Sequence, residues 1–64
     1  MSRVLVVDDE AGIRKVVRDA LERAGHEVET AEDGVSALDL LEEKPFDLVV
    51  TDLSMPKMLS LIHI

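Results

Sequence analysis

Arg3-Val4-Leu5-Val6-Val7-Asp8-Asp9-Glu10 decides the fold, and Asp47-Leu48-Val49-Val50-Thr51-Asp52 repeats its logic further along the chain. In both stretches an unbroken aliphatic, largely β-branched run stops at a carboxylate. A run without polar alternation is the pattern of a strand covered on both faces, as in a parallel sheet flanked by helices. The residues between them change period. Ile13, Val16, Val17, Ala20, Leu21 and Ala24 recur at helical spacing over residues 11–24, with Arg14, Lys15, Arg18, Asp19, Glu22 and Arg23 on the other side. Lys15 with Asp19, Arg18 with Glu22 and Asp19 with Arg23 are expected as i,i+4 ion pairs, and Gly25 suits the position just past the helix.

Glu27 to Ala31 alternates polar and apolar, as expected of a more exposed strand at a sheet edge. Asp33 is placed to cap a second helix, Gly34 to Glu43, that turns Val35, Ala37, Leu38 and Leu41 inward and ends at Lys44-Pro45. The third strand is expected over Asp47 to Thr51. The element order is therefore βαβαβ, an α/β arrangement. Right-handed crossovers bring both buried strands to the same edge of a parallel sheet of order 2-1-3, so Asp8, Asp9 and Asp52 converge there. Clustered carboxylates repel one another unless a cation sits among them. With oxygen donors only, the fitting ion is Mg²⁺, or Mn²⁺ in its place. Such a site also permits an aspartate to attack a phosphoryl donor.

The chain has 64 residues, no cysteine and a formal charge of −7 at pH 7. A chain of this size makes at most one small core. Acidity without a basic stripe disfavours nucleic acid as a partner, and thiolate metal sites are excluded. The longest aliphatic run is too short to cross a membrane, and the N-terminal residues lack the apolar stretch of a signal peptide, so the cytoplasm is the expected compartment. Phe46 is expected in the core, and His26 as a solvent-facing turn residue at the edge away from the acids. His63 is a lone histidine in an apolar tail.

Val4 to Glu10 (VLVVDDE), Asp33-Gly34 with Ala37-Leu38 behind it, and Asp47 to Pro56 (DLVVTDLSMP) together resemble the receiver domain of two-component response regulators. The resemblance covers about residues 2 to 58. It implies a truncated flavodoxin-like sheet and a role in phosphorelay signalling without turnover of an external substrate. By the same resemblance Asp52 is the phosphoacceptor, Asp9 a direct Mg²⁺ ligand, Asp8 the holder of metal-bound water, and the Ser54 backbone carbonyl a further ligand. The implied partner is a histidine kinase or phosphotransfer protein, docking near Ile13 and Arg14. A phosphoaspartate-forming hydrolase would instead carry an acid two residues after its nucleophile, where this chain has Ser54.

Residues 1–58 thus read as a partial receiver domain and residues 59–64 as an atypical tail. Beyond Met58 the chain departs from the family with Leu59 and Ser60, and it stops at Ile64, before the family's later strands with their Ser or Thr and their Lys. The sequence suggests a truncation, which would leave the third strand as an apolar open edge and favour homo-oligomers through it. The tail is expected as the start of a helix or a turn, with an extended segment crossing to another chain as the alternative. The alternative function is a pseudo-receiver that acts through protein contacts alone.

Overall fold

A computed structural model of the chain describes the backbone of residues 2–54 and 57–63 and the side chains of residues 2–51. The elements follow in the order β1 (Arg3–Val7), α1 (Ala11–Arg23), β2 (Glu27–Ala31), α2 (Gly34–Glu43), β3 (Leu48–Ser54) and β4 (Lys57–His63). They form one sheet of order β2-β1-β3-β4. β1 lies parallel to both β2 and β3, as the sequence predicts.

The period of two in β1 divides the core between the two faces of the sheet. Val4 and Val6 join Val50 on one face, with Val17 and Leu21 of α1 packed over them. On the other face Leu5 meets Ala31, Ala37, Phe46 and Val49, with Leu40 and Leu41 of α2 against them. The inward stripes of both helices differ from expectation. In α1, Val16 is 68% exposed. In α2, Val35 and Leu38 are 72% and 61% exposed, and Leu40 takes the inward place. At 100° per residue, a helix resting on Ala37, Leu40 and Leu41 carries Val35 and Leu38 round to its outer side.

α1 ends as the glycine predicts. Gly25 has φ 93, His26 N–H donates to Leu21 O at 3.1 Å and Gly25 N–H to Glu22 O at 3.0 Å, the paired bonds of a Schellman motif. Of the three expected i,i+4 pairs, Arg18–Glu22 closes, at 3.9 Å, and Arg18 also approaches Asp19 at 3.7 Å. α2 ends at Lys44, which the following proline holds in the extended region at φ −151.

The tail differs from both expectations. β4 returns antiparallel along β3 within the same chain, from Ser54 opposite Lys57 to Leu48 opposite His63. The reason is the row of backbone donors and acceptors that β3 offers on its outer side, which an extended segment satisfies and a helix would not. Pairing with β4 also carries β3 past its expected end at Thr51. The open β3 edge, and with it the basis for homo-oligomers through that edge, is therefore corrected: β4 fills it. Met55 and Pro56 and the side chain of His63 lie outside the described residues.

Candidate functional site

Register sets the site. Val7 is paired with Ala31 on one side and with Thr51 on the other, so the three parallel strands reach the same level together. The next residues in each are Asp8, Glu32 and Asp52. Asp8 extends the ladder by one bond, donating its N–H to Ala31 O at 3.1 Å. The chain then turns. Asp8 Oδ1 accepts the Glu10 N–H at 2.8 Å, and the Arg14 guanidinium donates to the Asp8 backbone carbonyl. Asp8 is 2% exposed, the one buried charged residue among the described residues.

β2 leads into Asp33, whose Oδ1 accepts the Ser36 N–H at 2.8 Å and so caps α2 as predicted. That bond, followed by the Ser36 hydroxyl and the Val35 N–H, holds the Asp33 carboxyl below the usual carboxylate range, outweighing the opposing effect of desolvation. Between these two turns lies a cavity of about 320 Å³, lined by Val7, Asp8 and Asp9, by Glu32, Asp33 and Gly34, and by Thr51. The structure thus brings Asp8 and Asp9 together as expected. Asp52 follows Thr51, the partner of Val7, and its backbone is paired with Leu59 of β4. The side chains of Asp52 and Ser54 lie outside the described residues. Glu32 was not anticipated, although its position directly after a strand that ends level with β1 is the signal that would have found it.

The lining residues with polar side chains, Asp8, Asp9, Glu32, Asp33 and Thr51, carry oxygen donors only, which fits a hard divalent cation such as Mg²⁺. Among the described residues no three His, Cys, Asp or Glu side chains come close enough to hold a metal by themselves.

A second cavity, about 240 Å³, opens at the opposite end of the strands between Ser2, Arg3, Glu27, Pro45 and Asp47. Its charges are engaged with one another. Arg3 pairs with Glu27 at 3.2 Å and donates to Pro45 O, while Asp47 Oδ2 accepts the Arg3 N–H at 2.9 Å. Ligands of open α/β sheets sit at the carboxyl ends of the strands, and this is the other end. His26 lies on the same side, away from the acids as expected. It is half-buried rather than solvent-facing, because its Nδ1 accepts the Ser2 N–H at 3.2 Å. No helix of the described residues is long and apolar enough to cross a membrane.

Comparison with known proteins gives one consistent answer. The family described as the response regulator receiver domain matches residues 4–61. The response regulator receiver protein CpdR of Brucella abortus is 41% identical over 58 residues, covering 91% of this chain and 48% of that protein. The probable transcriptional regulator ycf27 of Guillardia theta is 46% identical over 56 residues, 88% of this chain and 22% of that one. Among solved structures, the chemotaxis response regulator CheY4 of Vibrio cholerae superposes with a TM-score of 0.81 at 46% identity, covering 92% of this chain and 49% of that chain. A chain from the complex of histidine kinase ThkA with response regulator protein TrrA superposes with a TM-score of 0.78 at 45% identity, covering 88% of this chain and 48% of that one. The chain thus spans about half the length of these relatives, or less. The parallel β2-β1-β3 order, the acids that follow the paired residues Val7, Ala31 and Thr51, and the family match over nearly the whole chain make it a member of the response regulator receiver domain family.

Proposed function

We propose that this chain receives a phosphoryl group on Asp52, in a phosphorelay, at a Mg²⁺ site made by Asp8, Asp9, Asp52 and the Ser54 backbone carbonyl. The observation that carries the reading is the common level of Val7, Ala31 and Thr51 in the parallel strands, with Asp8 and Asp9 lining a carboxylate-walled cavity and Asp52 the residue after Thr51. Mg²⁺, when bound, offsets negative charge on the carboxylates and on the entering group. The residues of the chain do the rest. A carboxylate oxygen of Asp52 attacks the phosphorus of a phosphohistidine, the P–N bond breaks, and the imidazole leaves with its electron pair and takes up a proton. The product is an acyl phosphate on Asp52. No external substrate is turned over.

The partner is a histidine kinase or a phosphotransfer protein, supported by the kinase complex in which one similar chain is found. The formal charge of −7 argues for protein rather than nucleic acid at this surface, and the cytoplasm is the compartment that suits such a relay. The test is phosphorylation by a small phosphoryl donor such as phosphoramidate with Mg²⁺, read by intact mass. The parent chain gains one phosphoryl group that hydroxylamine removes. Asp52→Asn gains none, and Asp9→Asn gains it only at raised Mg²⁺. Equal labelling of the Asp52→Asn variant, or a folded parent that takes no label, refutes the assignment.

A further inference from the structure

We infer that Arg14 is a positioning residue for the acidic site, holding the Asp8–Glu10 turn in the shape that brings the Asp9 carboxylate to the cavity. The inference rests on the Mg²⁺ reading above and adds to it a residue outside the ligand set. Asp9 is exposed, and the backbone on either side of it bonds to Arg14. The Arg14 guanidinium donates to the Asp8 carbonyl, and the Arg14 backbone N–H donates to the Glu10 carbonyl at 3.1 Å. The second of these is the first backbone bond of α1, so what the arginine side chain adds is its hold on the Asp8 carbonyl, on the strand side of the proposed ligand. Two further bonds belong to the same turn, Asp8 N–H to Ala31 O and Glu10 N–H to Asp8 Oδ1. An arginine serving only surface solvation or a docking partner would extend outward. This side chain is half-buried and spends a nitrogen on the backbone.

Charge and positioning predict opposite signs, which makes the role testable. By charge alone, a guanidinium beside an acidic site competes with a divalent cation, so removing it tightens Mg²⁺ binding. By positioning, removing it loosens the turn and weakens binding, as loss of groups that orient metal ligands does. The experiment is Mg²⁺ titration by calorimetry on the parent chain and on Arg14→Met, which keeps the aliphatic stem without a donor. Arg14→Lys, which restores one donor, and Asp9→Asn accompany them. The Glu10 amide exchange rate is measured on each without metal.

Arg14→Met is expected to bind Mg²⁺ about 10-fold more weakly and to exchange the Glu10 amide faster, and Arg14→Lys to recover most of both. Should the methionine variant not fold by circular dichroism, Arg14→Gln replaces it, since its amide is too short to reach the carbonyl. Unchanged or tighter binding in a folded donor-less variant overturns the proposal, as does a lysine variant no better than methionine. If the parent and Asp9→Asn titrate alike, the Mg²⁺ assignment itself has failed, and the amide exchange alone decides whether Arg14 holds the turn.

Discussion

Replacing Leu5 with alanine tests the two-faced core at its most enclosed point. Leu5 has 0% exposure in the central strand and packs with Ala31, Ala37, Phe46 and Val49 beneath α2. The substitution removes three buried carbon groups. At about 0.8 kcal/mol each they account for roughly 2.4 kcal/mol of lost transfer energy. The cavity left behind raises the cost, and leucine-to-alanine changes in cores span about 2–5 kcal/mol. About 3 kcal/mol is a fair value here, because α2 has a shell of only one layer and settles partly into the gap. A domain of this length holds about 3–10 kcal/mol in all, and its melting temperature moves by about 7 °C for each kcal/mol. Leu5→Ala is therefore expected to melt about 20 °C lower, with part of the population unfolded at room temperature. Leu38→Ala is the matched control, since the same atoms are lost from a side chain 61% exposed, and it should stay within about 0.5 kcal/mol of the parent. Far-UV circular dichroism during heating, with a urea titration at 25 °C, reads both. If the two variants melt within a few degrees of each other, Leu5 does not sit in the core described.

Asp33→Ala removes the α2 cap and should show its effect as a function of pH. The folded-state carboxyl is held below its ordinary value by Ser36, so it stabilises the fold above the unfolded-state value and that stability is lost as pH falls through the folded one. The parent should melt above the variant at neutral pH, and the gap should close in acid; a gap independent of pH would refute the cap. Leu61→Pro places a residue without an N–H opposite Val50 in the outer ladder. With β3 again unpaired, light scattering should report a mass that rises with concentration above that of the parent, and an unchanged mass would argue against the pairing.

Most of the layout was legible because the deciding signals are local. The β1 run, the β2 alternation, the Asp33 cap, Gly25 and Lys44-Pro45 each fix a boundary within a few residues, and the structure has them where the sequence puts them. What failed depends on distant partners. Leu59 to Ile64 carries aliphatics on both parities, so neither period emerges, and its conformation follows from the free side of β3. Val16, Val35 and Leu38 satisfy a helical repeat yet lie outside the stripe that the sheet covers. In the site, the adjacent pair Asp8-Asp9 stood out, whereas Glu32 was hidden as a charged residue before a cap. Arg14 reads in the sequence as a solvated cation near the docking surface, and nothing local signals that its guanidinium reaches the Asp8 carbonyl.

The central place of β1 has a consequence for how the chain is made. Val4, Leu5 and Val6, each at most 1% exposed once folded, are synthesised before either of their partner strands. Their partner strand on one side does not begin until Glu27, and the other not until Leu48. At typical translation speeds of ~5–20 residues per second, the interval between Val7 and Leu48 lasts about 2–8 s. For those seconds the most deeply buried segment of the protein lacks the strand that covers its β3 side. The stretch that decides the fold is thus also one that a ribosome-bound chaperone would find without its partner strands.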